Sequence, residues 1–295
     1  MMTGNGENDG VTAVVLGIMQ DGGLPHVGCR CPRCAAAFAD GTKGDYAACL
    51  AIVDARGGRT AVYLLDATPD IKYQLNLLAG WLGPHPQRPN RLRPPDAIFL
   101  THAHMGHVGG LPQLGPEAMA VSDLPVYALP GLVELLRGNG LYRPLNAGLR
   151  WQALTPHHPI PLAADLTITP IPVPHRDEWG AGTLAFRVQG PRRSLLYLPD
   201  IDNWEAWPEA EAVLGAVDVA LVDGCFYGVG ELNGRLPVAH PLIPDTLVRF
   251  ANIPGQLVFT HLNHTNPALE AGSAARAEIT AAGAQVAFTG QTFAL

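Results

Sequence analysis

Short apolar segments that end in a histidine or an aspartate constrain the fold of this chain more than any other feature of its sequence. Residues 97–100 (AIFL) run directly into THAHMGHVGG at residues 101–110. Apolar runs of four to eight residues bounded by turn residues are typical of buried strands. Four further runs end in the same way, at Asp66, His175, Asp200 and His261. The sequence therefore predicts a protein built on sheets, with its chemistry at the ends of strands.

The segment that follows residues 97–100 carries His102, His104 and His107 within six residues. Neutral imidazole is a borderline ligand that suits Zn, Fe, Mn or Ni, and several imidazoles on one short loop can bind a single cation. The alternative is that each histidine is a hydrogen-bonded turn or core residue, as a lone histidine after a strand usually is. Three histidines so close together, with more His and Asp at later strand ends, favour a metal site.

The remaining apolar periodicity divides the chain into strands and helices. Strands are predicted at residues 11–18, 47–53 and 60–65, and the last two form a hairpin. A helix follows from Thr68, and residues 82–95, rich in Pro and Arg, are predicted as an extended connection. Further helices are expected at residues 130–136, 209–214, 242–251 and 268–282.

Strands come first in groups and then alternate with helices, which favours an α/β sandwich of two sheets covered by helices. One domain is predicted to span residues 11–295, with a zinc-binding cysteine loop at residues 29–34. Residues 1–10 are predicted to be a disordered tail.

Charge and hydropathy exclude several functions. The 295 residues carry 26 acidic against 19 basic side chains, a net charge of -7, so neither nucleic acid nor an anionic membrane is expected as a partner. The first residues lack the features of a signal peptide, and no apolar run is long enough to cross a bilayer. The chain is expected to be cytoplasmic, to act on a small-molecule substrate and, if it assembles, to form a homodimer.

A second cluster of candidate ligands comprises Cys29, Cys31 and Cys34, in the segment CRCPRC. Five cysteines in all, three of them within six residues, do not fit a secreted disulfide framework. The C-x-C-x-x-C spacing instead offers three soft ligands to a structural zinc ion and needs one more to complete a tetrahedral site. The alternative is a redox or free-thiol cluster.

The order of these histidines and aspartates resembles the metallo-β-lactamase superfamily, whose signature H-x-H-x-D-H follows a strand and is completed by His, Asp and His at later strand ends. The resemblance implies an αββα fold of two mixed sheets flanked by helices. It implies a first divalent metal on His102, His104 and His175, a second on His107 and His261, and Asp200 as the bridge between them. Asp66 would be a catalytic residue that supports the metal loop without binding the ion.

One position departs from that signature, because Gly106 stands where the family has an aspartate. That carboxylate usually binds the second metal and orients the attacking water, and glycine has no side chain to do either. Three protein ligands remain for the second ion, with less negative charge and a lower expected affinity. The sequence leaves open whether the centre binds one ion or two, and whether they are Zn, Fe or Mn.

Several segments narrow the resemblance: the cysteine cluster, TPDI after Asp66, VDGCFYG at residues 222–228 and FTHLNHTNP at residues 259–267. They are similar to the pyrroloquinoline quinone (PQQ) biosynthesis B group, which shares the cysteine trio with the cyclic phosphodiesterase of phosphonate breakdown. By this resemblance His264, in preference to His26, would complete the zinc site. His240 would be a catalytic general acid, and its alternative is a cap on the helix that follows.

Three functions are compatible with these features. The leading hypothesis is a metal-dependent hydrolase that cleaves an ester, phosphodiester or lactone bond of a small molecule. The second, implied by the B group, is an iron-dependent oxygenase in PQQ-type cofactor biosynthesis. The third is a non-catalytic metal- or ligand-binding protein, for which Gly106 is the main argument.

Overall fold

The computed structural model describes residues 10–237 and 239–295, so the first nine residues of the predicted tail lie outside the described part of the chain. The strands are β1 (Val11–Gly17), β2 (Cys49–Asp54), β3 (Ala61–Leu65), β4 (Pro84–His85), β5 (Arg88–Leu92), β6 (Ala97–Phe99), β7 (Leu124–Ala128), β8 (Leu149–Ala153), β9 (Ile160–Ala163), β10 (Leu166–Pro172), β11 (Leu184–Gln189), β12 (Ser194–Leu198), β13 (Val219–Asp223), β14 (Gln256–Thr260), β15 (Gln285–Val286) and β16 (Thr292–Ala294).

The α-helices are short and lie mostly between strands. They are α1 (Pro32–Ala39), α2 (Ile71–Leu77), α3 (Ala79–Leu82), α4 (Met105–Val108), α5 (Pro130–Gly138), α6 (Ala210–Gly215), α7 (Ile243–Arg249) and α8 (Ala274–Ala281). None of the helices in the described residues combines the length and the apolar character that a membrane span requires.

Two seven-stranded mixed sheets form the centre of the fold. The first has the order β16-β1-β2-β3-β6-β7-β8 and the second the order β15-β14-β13-β12-β11-β10-β9. In each sheet one half is antiparallel and the other half parallel, with parallel pairing from β3 to β8 and from β12 to β15. Ligands of open sheets with parallel strands bind at the carboxyl ends of those strands. This rule places a site after β3, β6, β12, β13 and β14.

Both faces of the central strands are buried, which explains their continuous apolar sequence. Every residue of β1 and of β2 is buried. One apolar core lies between the sheets and includes Phe99, Phe186 and Phe259. A second core covers the outer face of the first sheet, where Ile71 of α2 and Leu132 of α5 pack. The predicted arrangement of two sheets covered by helices is confirmed.

The Pro/Arg-rich stretch is not only an extended connection, as the sequence predicted. It contains a small separate hairpin, in which β4 pairs with β5 in antiparallel register. Arg93 at the end of this stretch is buried and donates a hydrogen bond of 2.9 Å to Asp96 Oδ2. The backbone pairing and this ion pair give the stretch a fixed path that its composition does not predict.

Two helices begin later than predicted, and in each case a hydroxyl group bonds a backbone N–H close to the observed start. The helix expected at residues 268–282 begins at Ala274, where Ser273 Oγ accepts a hydrogen bond of 3.1 Å from the N–H of Arg276. The helix expected from Thr68 begins at Ile71, since Thr68 Oγ1 accepts a bond of 3.0 Å from the N–H of Asp70. The Ser273 hydroxyl satisfies a free N–H group at the start of α8, whereas the Thr68 hydroxyl holds the residue before α2 in a turn.

Candidate metal centre

Three imidazoles meet where the two sheets face each other. His102 follows β6, His104 precedes α4, and His175 follows β10 of the second sheet. The distance from His102 Nε2 to His104 Nδ1 is 2.9 Å, and that from His175 Nε2 to the same atom is 3.2 Å. Ring nitrogens this close repel one another unless a proton or a cation lies among them. The structure therefore brings together the three residues predicted for the first metal.

A carboxylate faces these imidazoles and a second histidine group. Asp200 follows β12, His107 lies within α4, and His261 follows β14. Asp200 Oδ2 is 3.0 Å from His107 Nε2 and 3.4 Å from His261 Nε2. Its other oxygen, Oδ1, is 3.7 Å from His175 Nε2. One carboxylate thus reaches both groups, which is the position that a bridging ligand requires.

The second group fits a divalent metal. His107 Nε2, Asp200 Oδ2 and His261 Nε2 are buried and form no well-aligned hydrogen bond within the described residues, although the first two lie 3.0 Å apart. An unpaired buried polar group costs about 1–3 kcal/mol. Imidazole nitrogen and carboxylate oxygen are a donor set that Zn, Mn and Fe all accept. A divalent cation would satisfy all three atoms at once.

Asp66 lies behind His107, where the resemblance placed it. Its carboxylate is fully buried and accepts hydrogen bonds from the Thr101 N–H at 2.8 Å and from the Thr101 hydroxyl at 2.9 Å. Its second oxygen is 2.7 Å from His107 Nδ1. A carboxylate bonded to one ring nitrogen fixes the tautomer and turns the other nitrogen toward a metal. Asp66 therefore orients His107 toward Asp200.

Burial keeps three of the imidazoles neutral. Burial, aided by the neighbouring His107, holds the pKa of His102 well below its ordinary value. Burial also lowers the pKa of His175 and of His261. A neutral ring has a free lone pair, which is the form that binds a metal.

At His107 and Asp200, neighbouring charges outweigh burial and shift the pKa in the direction opposite to the one that burial favours. Burial alone would lower the pKa of His107, but the carboxylates of Asp66 and Asp200 outweigh it and hold that pKa well above the ordinary value. Burial alone would raise the pKa of Asp200, but His261 and His107 beside it hold that pKa well below the usual range. The centre without an ion thus holds a carboxylate that attracts positive charge.

Three residues of the centre adopt the left-handed backbone conformation that side chains other than glycine rarely occupy. The φ angles are 74° at Asp66, 70° at His240 and 59° at His261. Asp66 and His261 directly follow β3 and β14, and His240 lies shortly before α7. Such conformations cost on the order of 1–3 kcal/mol and persist where the surrounding structure fixes them. The fold therefore aims these three side chains at one point at some cost to its stability.

His240 lies between the centre and an open cavity. Its Nδ1 is 2.7 Å from Asp223 Oδ2 and 3.8 Å from Asp200 Oδ1. Burial would lower the pKa of His240, but the Asp223 carboxylate raises it to about 9, so the ring carries a proton at neutral pH. Helix α7 begins at Ile243 with Leu242 at its N-cap. His240 is therefore not the cap of that helix, and the alternative role is wrong.

The cavity has a volume of about 280 Å³. It is lined by Gln20, Arg176, Phe226, Leu232, Arg235, Leu236, Pro237, Ala239 and His240. Two guanidinium groups among mostly apolar neighbours suit a small molecule that carries an anionic group on an apolar body.

Two carboxylates of the site were missed by the sequence argument. Asp223 ends β13 and fixes His240, and it also accepts hydrogen bonds from the N–H groups of Ile201 and Cys225. Its signal was available, since an apolar run ends at Asp223 as at the other site residues. Asp21, in the loop after β1, lies 3.7 Å from His107 Nε2 through its Oδ1. No strand ends at Asp21, so the same rule could not find it.

The cysteine cluster forms a separate group. Nδ1 of His264 lies 3.9 Å from the sulfur of Cys29, 3.9 Å from that of Cys31 and 3.6 Å from that of Cys34. All four ligand atoms lie within 4.8 Å of one another. His26 packs its ring on that of His264, with centroids 4.7 Å apart, and is not part of this group. Four convergent soft and imidazole ligands fit a structural zinc ion.

Comparisons with known proteins agree with this geometry. A family model described as "Beta-lactamase superfamily domain" matches residues 62–262. "Coenzyme PQQ synthesis protein B" of a Methylobacterium species is 29% identical over 96% of this chain and 99% of its own length. The protein of the same name from Pseudomonas protegens is 30% identical over 95% of this chain and 99% of its own length.

Solved structures give the same result. The crystal structure of Zn²⁺-bound PqqB from Methylobacterium extorquens has a TM-score of 0.82 and 25% identity, and covers 96% of this chain and 100% of that one. A diphosphatase from the PhnP family shares the fold, with a TM-score of 0.70 and 22% identity over 97% of each chain. The chain therefore belongs to the beta-lactamase superfamily. Within it, the chain is similar over nearly its whole length to the coenzyme PQQ synthesis B proteins, as the sequence predicted.

Proposed function

We propose that this protein is a metal-dependent hydrolase that cleaves an ester, phosphodiester or lactone bond of a small anionic molecule. One observation supports it above the others: His240, fixed by Asp223, lies between the carboxylate of Asp200 and a cavity that carries two arginines. A binding protein needs the metal ligands and the cavity. A protonated imidazole between the two is the group that bond cleavage needs.

Each residue has a distinct task in this proposal. The histidines and Asp200 would hold a divalent metal, which would supply Lewis acidity and activate a water molecule for attack on the scissile bond. Arg176 and Arg235 bind the anionic group of the substrate and place the scissile bond beside the centre. His240 donates a proton to the leaving oxygen, while its Nδ1 stays bonded to Asp223. The apolar wall of the cavity, including Phe226, limits the access of water.

The test compares leaving groups. Protein loaded with Zn²⁺ or Mn²⁺ is assayed with bis(p-nitrophenyl) phosphate, with alkyl phosphodiesters and with lactones. His240→Gln is expected to lower kcat for alkyl leaving groups by about 10²–10⁴-fold. The effect on p-nitrophenyl substrates should be much smaller, since that leaving group needs no proton. Asp223→Asn should show the same pattern more weakly, and metal content should stay unchanged in both variants.

His158→Ala is the matched control, because His158 is exposed and lies outside the centre. It should keep the wild-type rate on every substrate. Absence of hydrolysis of all probes by metal-loaded protein, or an unchanged alkyl rate in His240→Gln, would contradict the proposal.

The second candidate is an oxygenase that acts in cofactor biosynthesis with iron. It is supported by the relatives named coenzyme PQQ synthesis protein B, which cover almost the whole chain. Histidine-rich centres with open positions hold Fe(II) in such enzymes. Protein reconstituted with Fe(II) would then consume oxygen in the presence of a substrate, whereas the Zn²⁺ form would not. Oxygen consumption, together with no hydrolysis of any of the phosphodiesters or lactones, would favour the second proposal over the first.

A further inference from the structure

The place left empty by Gly106 is filled by another carboxylate. Asp21 lies in the loop between β1 and α1, 85 residues before Gly106 in the chain. A Cβ added to Gly106 would lie 2.1 Å from Asp21 Oδ1 and 2.6 Å from its Cα. The loop therefore passes through the space in which a side chain at position 106 would begin. Gly106 is required there because any larger residue would displace the loop.

The carboxylate of Asp21 faces the second histidine group. Its Oδ1 is 3.7 Å from His107 Nε2. The ligand atoms of Asp21, His107 and His261 all lie within 4.8 Å of one another. Nε2 of each histidine is buried and forms no well-aligned hydrogen bond among the residues that the structure describes, and Asp200 Oδ2 lies 3.0 Å from one and 3.4 Å from the other. Two imidazole nitrogens and the Asp21 carboxylate thus face one another, beside the Asp200 carboxylate.

The backbone on either side of this group is fixed. Gln20 donates its N–H to the carbonyl of Leu262 at 2.9 Å, and its side-chain Oε1 accepts a hydrogen bond from Asn263. Asp21 and His261 are the neighbours of these bonded residues. The loop that carries Asp21 is therefore attached to the segment that carries His261, and their separation does not depend on a flexible connection.

We propose that Asp21 is the carboxylate ligand of the second metal, so that the centre binds two ions although the aspartate of H-x-H-x-D-H is absent. With Asp200, the second ion then has two imidazoles and two carboxylates instead of the three ligands that the sequence suggested. The inference rests on the proposed function only in requiring that the centre binds metal. Its test is metal binding and not turnover.

A purely structural role for Asp21 is the competing explanation. Asp21 Oδ1 accepts a hydrogen bond of 3.1 Å from the N–H of Gly106, in the first turn of α4. Asparagine at position 21 keeps an oxygen that can accept this bond but removes the negative charge. Asp21→Asn therefore separates the two roles, because only a metal ligand is sensitive to the loss of charge.

The experiment is a titration with Co²⁺ alone. The His/Asp centre is emptied with a chelator under conditions that keep the zinc of the cysteine cluster, and Co²⁺ binding is followed by its visible absorption. Wild type should bind two Co²⁺ ions. Asp21→Asn should weaken the second binding event by about 100-fold and change the first by less than about threefold. Asp40→Asn is the matched control, since Asp40 follows α1, is absent from the metal-ligand groups described above, and its carboxylate accepts hydrogen bonds from Thr42.

A second variant changes no ligand. Gly106→Ala adds one methyl group in the space that Asp21 occupies, and should weaken the second binding event as Asp21→Asn does. Two Co²⁺ ions bound with wild-type affinity by both variants would overturn the inference and leave the proposed function intact. One Co²⁺ ion in the wild-type centre would overturn it as well. No Co²⁺ bound by the wild-type centre would overturn both.

Discussion

The His/Asp centre and the cysteine cluster both present metal ligands, but they are built in different ways. The centre takes its side chains from the ends of strands in both sheets, and His102, Asp200 and His261 are almost completely buried. The cysteine cluster takes three of its four ligands from one six-residue segment, and Cys29 and Cys31 are partly exposed. Structural zinc sites have four protein ligands, whereas catalytic sites keep a position open. The first group depends on the whole fold, and the second helps to hold the fold together.

The ligands of the cysteine cluster come from two segments that are far apart in the sequence. Cys34 and His264 are 230 residues apart, so an ion bound by both closes a loop that contains most of the chain. Such an ion would also fix the segment after His261, where Arg33 donates hydrogen bonds to the carbonyl oxygens of His264 and Asn266. The cysteine cluster therefore supports one side of the metal centre without taking part in its chemistry.

The largest expected effect is the loss of the cysteine-bound zinc. Cys29→Ala/Cys31→Ala should lose one zinc per chain. It should lower the free energy of unfolding by about 5 kcal/mol, the value expected for opening a cross-link that closes so long a loop. Metal analysis and urea unfolding measure the two effects. Cys49→Ala is the control, a buried thiol outside the cluster, which should keep its zinc. Zinc retained by the double variant would show that the cluster does not bind metal.

The second largest effect is expected on metal binding at the His/Asp centre. His102→Ala/His104→Ala should weaken binding of the first ion of the centre by on the order of 10⁴-fold or more, since four-ligand zinc sites bind with about 10–16 kcal/mol and two of four ligands are removed. The metal content of the cysteine cluster should change little, and so should the urea midpoint when it is compared with wild type after the centre has been emptied of metal. His158→Ala should match wild type in both. Unchanged metal content in the double variant would mean that the three imidazoles do not hold an ion.

A smaller effect is expected from the buried carboxylate that orients His107. Asp66→Asn weakens the hydrogen bond to His107 Nδ1 and should lower metal affinity of the centre by about 10–100-fold. Asp54→Asn is the control, a buried carboxylate that pairs with Arg56 far from any ligand. It should destabilise the fold without changing metal affinity. Equal metal affinities for the two variants would contradict the role of Asp66.

The smallest effect concerns the exposed carboxylate on the other side of the centre. Glu178 Oε2 is 3.1 Å from His104 Nε2, and this hydrogen bond lowers the pKa of Glu178. Because water competes for an exposed carboxylate, Glu178→Gln should change metal affinity by less than about threefold. The same Co²⁺ titration measures it. A loss of metal affinity as large as that in Asp66→Asn would contradict the expectation that an exposed carboxylate supports its histidine less than a buried one does.

Much of the fold was predictable, because the buried strands of both sheets are continuous apolar runs. The hairpin of β2 and β3 and most of the helices lie within a few residues of their predicted positions. The later start of α8 depends on the capping hydroxyl of Ser273, and the β4–β5 hairpin depends on pairing and on Arg93. Periodicity carries no information on such single contacts.

The candidate site was predictable to a similar extent and for the same reason. His102, Asp200 and His261 directly follow apolar runs, so the sequence identifies them as polar groups at strand ends. The structure brings them together. The sequence could not relate His240 to Asp223, because their contact depends on the path of the loop between β13 and α7.

By itself, the sequence determined which residue types are available as ligands and that they lie at strand ends, because strand periodicity and ligand chemistry are both local properties. Only the tertiary structure decided what occupies the place of the missing aspartate. Gly106 suggests a weakened second site, yet the Asp21 carboxylate lies against it. Two segments separated by 85 residues meet there because they follow β1 and β6, which run in the same direction within the first sheet and end at the same edge. A contact between such distant segments is set by the packing of the whole domain, and no local pattern encodes it.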